Sequence, residues 1–405
     1  MPNRVVLWAG FVAVHAWVAA AGFWMPNQPM GDVNLVYDPW SIRALSGDGI
    51  VGVTESWVYP QLALAPMMLA QALAGIGGYD LGWALLVTAL DAVAFAILLG
   101  RGRSRARVGA AAFWLAFQLL LGPVGMYRLD AVTVPIAITG LLVLATRPAV
   151  ASAVLTAGAW VKVWPAALVA TAFVALRGRR GAVAVGAVVT TGVVVALVLV
   201  SGGAAHLAGF VTMQTGRGLQ LEAPVSTAYL WGAMLGIPDW WIFYDREILT
   251  FQVTGPNVDA VIGAMTPLLA VAVLAVLGVG FWKARAGASY RSLVPPLALS
   301  LVLVLMVFNK VGSPQFHDWL IAPLVLWIVV DRAAARGPAL VALGCALLTQ
   351  LVYPLLYMGV MTADPGPVIV LALRNAMLVV LLGWVVARLV RLPVRRRAPV
   401  LLSGR

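Results

Sequence analysis

The chain holds one cysteine, three histidines and three lysines in 405 residues, and only 10% of its residues are charged. Each scarcity excludes something. The lone Cys345 lies inside an apolar run, so there is neither a disulfide framework nor a cysteine-rich metal centre. No spacing of histidines and carboxylates supplies the three ligands that zinc needs, and no metal or cofactor is expected. The glycines form no Walker-type phosphate loop, which leaves ATP without an evident site. No internal repeat of roughly 20 to 50 residues is visible, which argues against inverted-repeat transporters.

What remains is apolar. Hydrophobic residues make up 62% of the chain, too many for a soluble globule. Apolar stretches of about 15 to 25 residues recur from end to end, the length that crosses a bilayer as helix. The first of them is long enough to span and lacks a small-residue cleavage pattern, so no cleavable signal peptide is expected. The net charge of +12 suggests a nucleic-acid partner only until the charges are placed. Arg4, Arg101 to Arg107, Arg147, Arg177 to Arg180, Lys283 to Arg291, Arg332, Arg336 and the cluster from Arg388 onward fall at alternate ends of the apolar runs. Those positions hold 20 of the 27 Lys and Arg residues but only one, Asp331, of the 15 acids. Positive charge collects on the cytoplasmic side of short membrane loops. This basic rim therefore faces lipid head groups, and no nucleic acid is expected.

The resulting expectation is an all-α polytopic membrane protein of about twelve transmembrane helices with both termini cytoplasmic. Residues 1–390 form one domain and 391–405 a basic cytoplasmic tail. Loops 25–60 and 202–256 lie outside the cell and carry short surface helices. The stretch 61–76 is read as a helix dipping into the outer leaflet, because a full span there would invert every later charge cluster. Between Arg147 and Arg177 everything is apolar except Lys162, and Trp164-Pro165 breaks the middle. Two short spans meeting at an outward turn fit best, and broken helices are tolerated where they line a cavity.

Seven cations depart from the rim: Arg43, Arg128, Lys162, Arg217, Arg246, Lys310 and Arg374. An unpaired charge within a span costs several kcal/mol, so Arg374 and Lys162 need a function or a buried partner. Mid-span Asp91 has three readings: a proton relay, a structural partner for a nearby cation, or a protonated carboxyl. His15 and His206 read as structural. Arg128 and Asp130, closing one span, are expected to pair with each other, and Asp38 can share a helix face with Arg43. Asp32, about eight residues past the first span, suits a general base or a solvated loop acid. His317, between Lys310 and Asp318 in a polar link, can bind phosphate or shuttle a proton.

Several of these features together resemble the GT-C superfamily of polyprenyl-phosphate-sugar glycosyltransferases, with glycosyltransferase family 87 nearest. The resemblance rests on Asp32, Tyr59-Pro60, Arg128-Leu-Asp130, the break at Lys162 to Pro165, Arg217-Gly-Leu-Gln-Leu-Glu222, Asn309-Lys310-Val-Gly-Ser-Pro-Gln315 and Arg374-Asn375, which extend over nearly the whole chain. The chain departs from the family at Tyr59-Pro60-Gln61, where a second proline is common, and at Ala223, where a serine is expected. The resemblance implies transfer of mannose from polyprenyl-phosphate-mannose to a lipid-anchored mannoside, with inversion, at the outer face of the plasma membrane. Asp32 would then be the catalytic base. Lys162, Lys310, Arg374 and His317 would bind the donor phosphate. Tyr59, Arg128, Asp130, Arg217, Gln220, Glu222, Asn309 and Gln315 would contact substrate. The absence of a DxD motif agrees with a lipid-linked donor, and a monophosphate leaving group requires no divalent metal. A monomer is expected. Transfer of another sugar, such as arabinofuranose, and a lipid-linked-sugar flippase or transporter are the alternatives; the latter predicts a polar path across the whole membrane.

Overall fold

The computed structural model describes residues 2–246 and 248–393. Residues 394–405, most of the expected basic tail, lie outside the described residues, as does Glu247. The chain is 76% helical with almost no strand. The helices are α1 (Pro2–Trp24), α2 (Asp38–Ser46), α3 (Leu64–Leu73), α4 (Tyr79–Leu99), α5 (Arg105–Leu121), α6 (Leu129–Val143), α7 (Pro148–Val161), α8 (Ala166–Ala175), α9 (Arg180–Val200), α10 (Gly209–Thr215) and α11 (Thr227–Met234). After a hairpin of β1 (Trp241–Asp245) and β2 (Thr250–Thr254) come α12 (Val258–Arg285), α13 (Tyr290–Val307), α14 (Ile321–Val330), α15 (Arg332–Gln350), α16 (Tyr357–Met361) and α17 (Pro365–Val390).

Eight helices are long and apolar enough to cross a membrane, which makes this an all-α membrane protein at the level of its class. Four of the twelve expected spans fall to shorter apolar helical segments: Leu129–Val143, Pro148–Val161, Ala166–Ala175 and Pro314–Val330. At 1.5 Å per residue, the ten residues of α8 reach only about 15 Å, half a hydrocarbon core of about 30 Å. Polar breaks lie beside several of these short segments, at 127–128, 162–165 and 309–313.

The basic loops meet one another at one end of the bundle. Arg177 donates to the carbonyls of Ala284 and Arg285, Arg179 to Ala145, and Lys283 to Leu392. The long loops meet at the other end. Loop 25–60 contributes α2, as expected for a surface helix. Loop 202–256 contributes α10 and α11 but also the antiparallel hairpin, in register from Trp241↔Thr254 to Asp245↔Thr250. The hairpin was not expected. Its sequence, Trp-Ile-Phe-Tyr against Thr-Phe-Gln-Val-Thr, is rich in the aromatic and β-branched residues that suit a pleated surface.

Mid-bundle polarity is locked rather than open. His15 Nε2 lies 3.0 Å from Asp91 Oδ2, and its Nδ1 donates to the Phe11 carbonyl, with both side chains nearly fully buried. The Asp91 contact thus joins α1 to α4. His206 bonds Ser56 and holds two loops together.

Candidate functional site

Asp32 opens the site. The residues after it, Val33–Tyr37, wind as a π-turn, a widened coil that redirects a side chain. Its carboxylate lies 3.4 Å from Arg128 Nε, and the Tyr37 hydroxyl approaches the same oxygen at 3.5 Å. Arg128 in turn is clamped. Its Nη1 donates to the carbonyls of Pro29 and Tyr127, and its Nη2 to the Tyr353 hydroxyl at 3.1 Å. That hydroxyl faces the carbonyls of Asn27 and Gln28, both at 3.1 Å. Tyr353 therefore fastens both Arg128 and the chain segment leading to Asp32. It sits in a second π-turn, Leu351–Leu355, and sequence reasoning missed it.

The expected Arg128–Asp130 pair does not form. Arg128 is extended (φ −134°, ψ 152°) and Asp130 is in the first turn of α6, so the two side chains diverge. Asp130 instead turns to Lys162 Nζ at 3.4 Å and accepts from Trp319 Nε1 at 2.6 Å. Lys162 caps α7 in extended conformation, where the helix C-terminus favours a cation. Its ammonium lies 4.4 Å from the centre of the Tyr59 ring and within electrostatic reach of Asp32. Asp38 likewise accepts from Gln71, while Arg43 pairs with Glu55.

The third wall joins two distant segments. The Gln220 amide donates to the Lys310 carbonyl, and the Ser313 hydroxyl faces Gln220 Oε1 at 3.5 Å. Gly312 allows this approach, because a Cβ there would fall onto the backbone of Ala223. Lys310 is buried, with Arg217 acting on it; burial first, and the neighbouring guanidinium second, push its ammonium below the usual lysine range. Arg217 forms none of the ion pairs among the described residues, and its Nε has no hydrogen-bond partner there. It also acts on Tyr59, so Lys162 and Arg217 both reach that ring, and Lys310 lies within electrostatic reach of Arg217.

Two residues expected at the phosphate make contacts within the protein instead. Arg374 Nη1 lies 2.6 Å from Glu222 Oε2, and Nη2 donates to the Glu222 carbonyl and to Asn375. With both side chains below 5% exposed, Glu222 neutralises Arg374, and neither is open to substrate. His317 donates from Nδ1 to the Pro314 carbonyl at 3.0 Å. Its Nε2 is buried without a hydrogen-bond partner among the described residues. Asn309 turns its side-chain oxygen to the Val311 amide, which shapes the link locally, and Gln315 is half-buried in the following turn.

Beside the Lys162 break runs an apolar cavity of about 860 Å³, between α7, α8, α9 and α12. Small residues such as Ala159, Ala166, Ala170, Ala187 and Gly278 leave the space, and Trp160, Val163 and Phe210 border it. The volume is within the roughly 300–1,000 Å³ of small-molecule sites. Trp160 and Val163 flank Lys162 in the chain, so one backbone break carries an amine and an apolar wall. Comparison with known proteins adds no assignment: no family model matches the chain, and no curated protein matches it.

Proposed function

We propose that the protein is an inverting membrane glycosyltransferase of GT-C type. It moves mannose from polyprenyl-phosphate-mannose to a lipid-anchored mannoside at the extracytoplasmic face of the plasma membrane. One observation carries the reading. Lys162 stands over the Tyr59 ring within electrostatic reach of the open carboxylate of Asp32, Arg217 reaches the same ring with Lys310 next to it, and Trp160 and Val163, which flank Lys162 in the chain, line the apolar cavity. A ligand matching both has an anionic head and a long hydrocarbon tail.

Exposure decides which carboxylate reacts. The Asp32 side chain is 36% exposed, whereas those of Asp130 and Glu222 are 1% and 4% exposed. Only Asp32 is both oriented and reachable. In the displacement, the acceptor hydroxyl oxygen attacks the anomeric carbon of the sugar, and the bond from that carbon to the phosphate oxygen breaks. Asp32 takes the hydroxyl proton, and the phosphate leaves with one more negative charge. Cations beside the leaving oxygen stabilise that charge more in the transition state than in the ground state. Asp130 holds Lys162 in place for this task. Arg128, 3.4 Å away, fixes the orientation of the Asp32 carboxylate.

The flippase reading has less support, because the deep polar pair His15–Asp91 is closed on itself and buried. The deciding experiment incubates purified protein with radiolabelled polyprenyl-phosphate-mannose and a mannoside lipid, and again with the arabinofuranosyl donor. Transfer of mannose is expected. Asp32→Asn lowers turnover by about 10²–10⁴-fold, the usual contribution of general acid–base catalysis, with donor binding retained. Near-normal turnover in that variant would falsify the base assignment, and labelled product from neither donor removes the reading.

A further inference from the structure

The segment 231–249, from α11 through the hairpin turn, exposes an unusual run of large apolar side chains. Leu235 is 64% exposed, Trp241 53% and Leu249 65%, and Trp231, Ile237, Phe243 and Tyr244 are exposed too. Across 223–244 the sequence carries a single charge, Asp239, and the remaining charges of the segment, Asp245, Arg246 and Glu247, are consecutive in the sequence. A loop surface facing water is not built this way.

Two features identify what covers it. The apolar surface is continuous with α12, which begins four residues after β2 and turns Leu268, Val271 and Leu274 outward, as a lipid-facing helix does. The composition, with tryptophan, tyrosine and phenylalanine mixed with aliphatics and with one charge, Asp239, before the cluster at 245–247, is that of the membrane–water interface. A sugar platform would use the rings but leave Leu235, Ile237 and Leu249 without a role. We propose that 231–249 is an interfacial anchor, seated in the leaflet on the side of the candidate site and bound to lipid.

Its inner strand connects that anchor to the site. The Leu221 amide donates to the Phe251 carbonyl and the Val253 amide to the Leu219 carbonyl, so the loop carrying Arg217, Gln220 and Glu222 is laced to β2. Lipid contact at the hairpin thereby sets the depth at which this loop meets an amphiphilic ligand. The anchor itself stands apart from any assignment of activity.

The sole cysteine, Cys345, is fully buried, so an introduced thiol is the only accessible one. Leu235→Cys, Phe243→Cys and Leu249→Cys are labelled with an environment-sensitive fluorophore in the full chain, reconstituted in phosphatidylglycerol nanodiscs. Asp48→Cys, on the exposed turn after α2, is the comparison. The three anchor positions are expected to emit at shorter wavelength and to lose most of their emission to a lipid nitroxide placed near the head group, while resisting aqueous iodide. Iodide quenching equal to that at Asp48→Cys overturns the proposal. So does protection from both quenchers together with a doubled mass by light scattering, which would make this face a contact between copies. Because the positions are exposed, the variants keep the fold, and a monodisperse elution profile checks that directly.

Discussion

Glu222→Gln removes one negative charge from a buried contact and is the sharpest test of how the site is built. Arg374 is 2% exposed and directs four hydrogen bonds at Glu222 and Asn375, the shortest of them 2.6 Å to the Glu222 carboxylate. With glutamine in place, the backbone carbonyl and Asn375 contacts survive, but the guanidinium is left buried without its counter-charge. Breaking a buried pair from one side costs about 3–5 kcal/mol. Arg374→Met strands the carboxylate instead and costs a similar amount. Combining Glu222→Gln with Arg374→Met leaves no uncompensated charge, so the double variant should be more stable than either single one. The measurement is a double-mutant cycle in denaturant or heat, on detergent-purified protein, with a coupling of about 2 kcal/mol or more expected from neighbours sharing a network. Additive losses, or a Glu222→Gln cost of about 1 kcal/mol or less, would mean that Arg374 does not depend on Glu222. It would then return to the list of groups that bind a phosphate.

Further outcomes follow from the same geometry. Tyr353→Phe keeps the ring but drops the hydroxyl that holds Arg128 and loop 25–31. It should lower turnover, since Asp32 loses the fixed orientation that Arg128 gives it, and speed hydrogen exchange in residues 27–32; unchanged exchange would show that the clamp does nothing. Lys310, whose ammonium burial and Arg217 weaken, loses its proton as pH rises through a depressed value, so donor binding should weaken on the alkaline side. Lys310→Arg should carry binding to higher pH, and an unmoved limb in direct binding assays contradicts the role. A Cβ at Gly278 meets nothing within 4 Å. Gly278→Trp should therefore fold normally and fill the cavity, raising KM for long-chain donors far more than for a short-chain analogue. Equal effects on both would take the tail out of that cavity.

The charge pattern made the two ends of the bundle legible, because membrane topology sorts cations over many loops at once. Contact partners were not legible in the same way. Arg128 and Asp130 look like a pair in sequence, yet a change from extended backbone to helix at Leu129 sends them to Asp32 and Lys162. The five cations other than Arg43 and Arg246 that departed from the rim do gather at one end, but sequence could not divide them by role. Arg374 and Glu222 are 152 positions apart, and nothing local shows that each cancels the other. Tyr353 is hidden for a related reason: a lone tyrosine in an apolar run reads as core. Its cue was the Tyr-Pro step breaking a helical run, the same kind of cue that exposed Lys162 to Pro165. The cavity was invisible because its alanines and glycine come from four separate helices.

The Glu222–Arg374 contact also orders events during synthesis. Glu222 leaves the ribosome long before Arg374, which belongs to the last helix, so it waits without its counter-charge while seven later helices, from α11 to α17, are made. Chains halted before α17 therefore lack the guanidinium that pairs with Glu222 in the folded protein.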